Sequence, residues 1–475
     1  MTTLAGLDIG TTHTKAGVYR PDGTPVAQRR AVTPGEAGAL RTTALRLLAD
    51  CVAEAGAAPA ALGVASMAET GVPLDAGGEP AGELIGWRDR RAVREADRLA
   101  ATLDAGAFFA ATGLRPSAKL PLTRWIWLRR HQPQLRMAGW ANTADLVAAA
   151  LTGTVVTSPT LAARTGAFDI HAGAYLPELL GLAGLRPDGL PPVVSGVAGR
   201  VTTSAASRTG LLAGTPVVIA GHDHLAAAWA AGVRAPGQVA DSMGTAEAIV
   251  TPVAKVPPAP AGGATAGPFV DGSSFCLISG LSSSGGLVDW LLEEIAPAGR
   301  LDRHRWFTEL VGPPERPPTG IVVLPYLYGR AAPDPDPHRT PSVHGLRPEH
   351  TAADLGRAVL EGLCMHVRWM LDAVTAGVPP ASVTAFGGPV ANPTWMWIKA
   401  RLTPAPLAVL HEWQGAALGA AQLAGRAIGV PDPPPVTIAR PAEPAPEWES
   451  EWEEVYRARF LPIATAREAR KKEAR

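Results

Sequence analysis

The stretch "LAGLDIGTTHTKAGVYRPDG", Leu4 to Gly23, sets one aspartate, one glycine, three threonines, a histidine and a lysine between two apolar runs. Glycine followed by lysine invites comparison with a P-loop, but that loop needs G-x-x-x-x-G-K-[ST] with the lysine opening a helix. Here Gly10 is followed by Thr11, Thr12, His13, Thr14 and Lys15, with no second glycine before the lysine. Ala16 to Tyr19 is short and β-prone, Pro21-Asp22-Gly23 is a turn, and another strand-like run follows from Pro25 to Val32. The loop therefore joins two strands of a hairpin. A phosphate needs converging N–H or O–H donors with no bulk in the way. Gly10 permits backbone approach, Thr11, Thr12, His13 and Thr14 add donors, and Lys15 supplies charge. Asp8, two residues before the glycine, is placed to hold Mg²⁺ through water. An ordinary hairpin loop would carry some of the same residues.

The chain's 475 residues exceed one hydrophobic core, so two domains are expected. A hydrophobic content of 47% with 18% charged residues suits a globular enzyme and argues against disorder. Lys+Arg and Asp+Glu both number 43, which removes any electrostatic case for nucleic-acid or anionic-membrane binding. The apolar runs are broken by Gly, Pro or charge, so no membrane span is expected, and the N-terminus lacks the marks of a signal peptide. Cys51, Cys276 and Cys364 are far apart and read as reduced, buried thiols of a cytoplasmic protein.

Further along, a helix is expected over about Leu40 to Ala55, and a buried strand over Ala61 to Ala68 ending at Glu69. Residues 90–155 read as mostly helical, with Trp125, Trp127 and Leu128 as packing residues. "TPVVIAGHDHLAAAWAAGV" (Thr215 to Val233) reads as an apolar strand, a Gly-His-Asp-His turn and an Ala-rich helix. "GQVADSMGTAEAIVTPV" (Gly237 to Val253) repeats the N-terminal logic, with Asp241 to Thr245 echoing Asp8 to Thr11. Thr351 and Asp354 form a capping pattern for a helix reaching Val374, whose Leu355, Val359, Leu363 and Val367 mark a core face. The last 45 or so residues open with Pro431 to Pro435 and end in a charged helix, expected to fold back on the surface with frayed last turns.

Asp223 stands where an apolar strand ends and a helix begins, the edge of an α/β sheet at which ligands bind. A carboxylate there can take the proton of an attacking hydroxyl. His222 and His224 raise a metal site as a rival, but His-Asp-His alone falls short of a zinc ligand set, and no H-E-x-x-H or paired C-x-x-C occurs. Gly285, Gly286 and Asp289 lie at the mouth of a helix, suited to a polyphosphate or simply to a glycine-rich turn. Gly387 and Gly388, with Asn392 beyond, form a turn against which a nucleotide can lie. Ala416 to Ala424 is a small-residue helix whose plainer reading is tight core packing.

In order and at these intervals, the stretches resemble the FGGY carbohydrate kinases of the sugar kinase/Hsp70/actin superfamily, from about residue 4 to about 430. "DIGTTHTK" is similar to the family's first phosphate motif, "DSMGTAE" to the second, and "GHDH" to its catalytic turn. "FGGPVANPTWMWIKA" and "GAALGAAQLAG" resemble the nucleotide end, and "ELIGWRDRR" the sugar-side W-x-D-x-R segment. The resemblance implies an α/β fold of two actin-like (ribonuclease H-like) domains flanking a catalytic cleft. Residues 1–236 would form the sugar-binding domain, 237–430 the nucleotide-binding domain, and 431–475 a Pro-rich linker and C-terminal helix. It implies ATP and Mg²⁺ as cofactors, with Thr11, Thr12, His13, Lys15, Gly244, Thr245, Gly285 and Asp289 around the phosphates. Gly388 and Asn392 would hold the adenosine, Asp8 would position Mg²⁺, and Asp223 would be the general base. Glu69, Trp87, Asp89 and His224 would join Asp223 at the sugar.

Some positions depart from the family. Pro389 replaces a commoner small residue, and Gln414 stands where many relatives have Glu. Ala68-Glu69 stands where glycerol kinases carry Arg-Glu, and Met67-Ala68 where xylulokinases carry Met-His. The expected activity is ATP-dependent phosphorylation of a primary hydroxyl of a pentulose or hexulose by a cytoplasmic enzyme. The partner is then a small sugar or polyol, with no nucleic acid or membrane and with room for a homodimer. The alternatives are a glycerol- or erythritol-type polyol kinase and a non-catalytic sugar or nucleotide sensor. An actin- or Hsp70-like ATPase is disfavoured, because a sugar-side segment is present and nothing suggests a polymer or peptide partner.

Overall fold

A computed structural model describes residues 2–259, 261–297, 302–410, 415–433 and 446–466. Gln414, the end of the Pro431 to Pro435 run and the last turns of the C-terminal helix lie outside the described residues. The N-terminal meander is Leu4–Ile9, His13–Tyr19 and Pro25–Val32, paired antiparallel. Leu62–Ser66 and Pro216–His222 join the first strand's other side in parallel, and Val197–Arg200 closes the sheet antiparallel. The second half repeats this plan. Gln238–Met243, Glu247–Val253 and Phe275–Leu281 pair antiparallel in turn, Ser382–Gly387 and Leu407–Leu410 extend the sheet in parallel, and Thr265–Pro268 forms the opposite edge. The short echo between Asp8 to Thr11 and Asp241 to Thr245 thus marks a repeated sheet, each copy placing its loop between the first two strands.

Strand alternation positions the site. Ala5, Leu7 and Ile9 enter a core shared with Leu40, Leu45 and Leu48 of helix Ala37–Ala55. Successive strand residues point to opposite faces, so Leu4, Gly6 and Asp8 share the other face. Helix Gly415–Ala427 lies there, although it belongs to the second half of the sequence. Its backbone sits so close that a Cβ on Gly6 would fall 1.9 Å from the Ala417 carbonyl oxygen, and one on Gly63 1.9 Å from that of Ala420. Gly419 meets helix Asp223–Ala230 equally closely, 1.9 Å from the Ala226 oxygen. Asp8 is the next residue on that face beyond Gly6, where the helix starts and the sheet opens into the cleft.

The capping box at Thr351 and Asp354 is present, and it opens helix Ala352–Val374 with Val359, Leu363 and Val367 buried and Leu355 half-buried. Trp125 and Leu128 are buried, and Trp127 is half-buried. Cys51, Cys276 and Cys364 are free and buried. No helix among the described residues is long and apolar enough to cross a membrane. The C-terminal segment differs from expectation. Instead of lying on the surface, Pro446–Glu454 and the turns after it put Trp452, Tyr456 and Phe460 into the second core. Trp452 lies edge-on to Trp397 at 6.1 Å, and the Tyr456 hydroxyl donates to Asp372 at 2.8 Å. Arg330 and Arg339 donate to the carbonyls of Ala464 and Ile463 in the last turn.

A methyl at residue 63 has no room against a helix backbone, so Gly63→Ala should destabilise the protein by about 1–3 kcal/mol, the usual cost of overpacking. Gly35→Ala, where a Cβ meets nothing within 4 Å, is the control. Chemical denaturation should show a clear fall in midpoint for the first variant and almost none for the second. Equal midpoints would contradict the packing argument.

Candidate active site

Two hairpin loops and one strand-to-helix turn converge on a cavity of about 570 Å³. The first loop is braced from behind. Gly10 N–H donates to the His13 carbonyl at 3.1 Å, and the Thr33 hydroxyl donates to the Gly10 carbonyl at 2.8 Å. Asp8 and Lys15 are register partners across the hairpin, and their charged groups meet at 3.4 Å. Burial raises the Asp8 carboxyl to about 6, with Lys15 opposing the shift and Asp223 adding to it. Its Oδ1 is buried without a hydrogen-bond partner. An unpartnered carboxylate oxygen in a cleft wall beside a second carboxylate suits a hydrated divalent cation.

Asp223 opens helix Asp223–Ala230 and is about one-fifth exposed rather than standing free in a turn. Its Oδ1 accepts the His224 N–H at 2.7 Å and lies 3.4 Å from His222 Nε2. His222 is buried. Desolvation, with the nearby His224 and Arg164, holds its ring well below the usual imidazole range and therefore neutral. His224 Nδ1 meets the Ser242 hydroxyl at 3.1 Å, joining this strand-to-helix turn to the second half. One ligating atom from each of His222, Asp223 and His224 can be chosen within 4.8 Å of one another. His222 Nε2 lies against Asp223 and His224 Nδ1 against Ser242, so binding a cation through these nitrogens would compete with existing contacts.

At the other wall stand Met67, Ala68, Glu69, Trp87, Arg88, Lys119 and Arg164. Glu69 has φ +51°, a left-handed backbone that a non-glycine residue adopts at a cost. Two arginines hold it there. Arg164 binds its carboxylate, with Nε at 2.8 Å from Oε1, and the buried Arg124 donates to its carbonyl. Arg164 also donates to Thr265 in the second half at 2.9 Å. Trp87 Nε1 donates to Thr11 Oγ1 at 2.8 Å, and that hydroxyl donates to Met67 Sδ at 3.6 Å, so both contacts tie Thr11 to the opposite wall. Asp89 does not line the cavity. Arg91 engages both of its carboxylate oxygens, through Nε at 3.0 and 2.9 Å and through Nη2 at 2.7 Å.

The second hairpin's Gly244 and Thr245 line this cavity and a neighbouring one of about 790 Å³, shared also with Gly388. Gly285, Asp289, His304, Phe307, Pro389, Asn392 and Trp395 line the latter. The N–H groups of Gly285 and Gly286 donate to the carbonyls of Gly244 and Thr245 at 2.9 and 3.0 Å. These glycines therefore seat the helix on the hairpin and do not offer both amides to a ligand. Asn392 caps helix Pro393–Leu402 through Oδ1, and its Nδ2 donates to Thr308 at 3.2 Å. Asp289 pairs with His304 at 3.1 Å. Asp241 does not match Asp8 in duty. It is buried with Glu247 around Lys399, whose Nζ lies 2.5 Å from each carboxylate.

The comparisons with known proteins fit this geometry. The N-terminal domain of the FGGY family of carbohydrate kinases matches residues 3–230, and its C-terminal domain matches residues 239–428. The chain belongs to the FGGY family of carbohydrate kinases. It is 31% identical to a xylulose kinase of Streptomyces rubiginosus over 93% of this chain and 91% of that one. It is 28% identical to a glycerol kinase of Trichlorobacter lovleyi, covering 90% of each. The crystal structure of a xylulose kinase from Rhodospirillum rubrum, 28% identical, superposes with a TM-score of 0.86 over 97% of this chain and 98% of that one. The fold is thus the actin-like α/β fold of these kinases, and the protein is a carbohydrate kinase that uses ATP on a sugar or polyol.

Sequence reasoning missed Arg164, Arg124, Lys119 and Lys399. Removing Lys399 would leave Asp241 and Glu247 buried together without a cation. Lys399→Met should cost about 3–5 kcal/mol, as is usual when one member of a buried ion pair is removed. It should also weaken ADP binding, because the triad supports the second hairpin. A denaturation midpoint and ADP affinity equal to wild type would show that the triad carries neither role.

Proposed function

We propose that the protein transfers the γ-phosphoryl group of ATP to a primary hydroxyl of a five- or six-carbon sugar, with Asp223 as general base. The supporting observation is the convergence of Asp223, Asp8, both hairpin loops and the Glu69–Trp87 wall on one cavity. The acceptor oxygen forms its bond to the γ-phosphorus as the bond to the β–γ bridging oxygen breaks. ADP leaves with that electron pair, and the hydroxyl proton passes to Asp223. Most of the catalysis is positioning and electrostatic stabilisation. Gly10, Thr12, His13, Lys15, Gly244 and Thr245 would cradle the phosphates, and the neighbouring cavity lined by Gly388 and Asn392 would take the adenosine. Asp8 is the residue that would hold Mg²⁺ through water, and when bound the ion supplies charge neutralisation at the phosphates. Neutral His222 and the His224 N–H keep Asp223 oriented without giving it a proton in advance.

Ala68 is buried and lines the acceptor wall with only a methyl group, so the pocket has room for more than a three-carbon chain. A short polyol would leave polar groups of a longer acceptor's site without partners, at roughly 1–3 kcal/mol for each. Competition kinetics over pentuloses, hexuloses, pentitols, tetritols and glycerol should place glycerol well below the best five- or six-carbon acceptor. Glycerol with the highest kcat/KM would refute this reading of the pocket and leave the kinase assignment standing.

Asp223→Asn is nearly isosteric and should keep the fold and ATP binding while lowering turnover by about 10²–10⁴-fold, the usual contribution of a general base. Turnover at the wild-type rate would remove Asp223 from that role.

A further inference from the structure

The acceptor wall holds more positive charge than phosphoryl transfer to a neutral sugar requires. Glu69 and Asp223 are its carboxylates, and Glu69 is already paired with Arg164. Arg91, close by in sequence, is committed to Asp89 and Glu83. Arg88 and Lys119 also line the cavity, and among the described residues neither has an ion-pair or hydrogen-bonding partner. Both lie by the ring of Trp87, with the Arg88 guanidinium carbon 4.8 Å and the Lys119 Nζ 5.3 Å from its centroid. Lys119 and Arg88 are both exposed at the cleft. Desolvation lowers the pKa of Lys119, Glu69 opposes that shift, and the guanidinium groups of Arg164, Arg90 and Arg124 reinforce it.

Resting on the kinase reading above, we propose that the acceptor bears a carboxylate, received by Lys119 and Arg88, and that the substrate is a five- or six-carbon sugar acid. A carboxylate accepts charge-assisted hydrogen bonds from both ammonium and guanidinium donors. Trp87 holds the two cations beside its ring while its Nε1 is tied to Thr11 on the phosphate loop. The acid end of the substrate then sits at Trp87, and the chain runs past Glu69 to present its far primary hydroxyl to Asp223. Neutral sugars of the same skeleton leave Lys119 and Arg88 without partners, and a site built for a charged group discriminates against an analogue lacking it.

The test uses the full-length protein with Mg·ATP, following ADP release, on acceptors paired by skeleton: gluconate against glucitol, xylonate against xylitol, and 2-ketogluconate against fructose. The best acid should exceed its neutral partner in kcat/KM by at least about tenfold. Lys119→Met should lower that acid-to-neutral ratio by about tenfold or more, through KM for the acid, while Lys119→Arg should keep the ratio within about threefold. If neutral acceptors are turned over and the acids are not, the inference fails and the kinase reading survives. A Lys119→Met effect that falls on KM for ATP instead would assign the cation to the nucleotide phosphates and equally overturn the proposal. Absence of turnover with every C5 and C6 acceptor, acid or neutral, would sink both readings.

Discussion

The cleft depends on a backbone-to-backbone contact with no side chain between its partners. Helix Gly415–Ala427, from the second half, rests on strands Leu4–Ile9 and Leu62–Ser66 of the first at Gly6 and Gly63. It meets helix Asp223–Ala230 at Gly419. Glycine is required at these crossings because any Cβ would occupy the space of a carbonyl oxygen. The helix that carries Asp223 and the strand that carries Asp8 are thereby set against the half that holds the second hairpin. The small side chains of this interface are a geometric condition for bringing Asp223 and both hairpin loops to one cavity, as well as tight core packing.

Much of this was legible locally. A loop between two β-prone runs, a carboxylate at the end of an apolar strand and a Thr-x-x-Asp cap each carry their signal within a few residues. The cations that shape the wall do not. Glu69 and Arg164 are 95 residues apart, Glu69 and Arg124 are 55 apart, and Asp241 and Lys399 are 158 apart. Nothing in the neighbourhood of an arginine or lysine says which distant oxygen it meets, so these pairs become visible only when the sheets bring them together. The C-terminal segment is a different case. Trp452, Tyr456 and Phe460 recur at i+4 spacing, the mark of a buried helical face, and the charged residues between them masked it.

The repeat also shows how one motif diverges in duty. Asp8 and Asp241 occupy equivalent strands ahead of equivalent loops, yet they have different partners. Asp8 meets a lysine on its own hairpin and lines the cleft wall. Asp241 meets a lysine from helix Pro393–Leu402 and is sealed behind the loop with Glu247. The second carboxylate therefore stiffens its hairpin, and the first faces the cavity. Gly285 and Gly286 serve the same stiffening purpose, since their amides go to the hairpin's own carbonyls.

That division has an energetic consequence. Burial raises Asp8 to about 6, so the folded protein holds its proton more tightly than the unfolded chain does. The sign follows: stability falls as pH rises through the window between the ordinary carboxylate value and about 6, and above it the ionised Asp8 costs the fold a few kcal/mol. Asp223, the nearby carboxylate, adds to the strain by repulsion. Lys15 offsets only part of this, at 3.4 Å and on one oxygen. The free cleft is thus an electrostatically unfavourable arrangement held in place by the surrounding fold. A cation held at Asp8 would relieve that cost only in the folded state, and this differential interaction would couple nucleotide binding to the stability of the cleft.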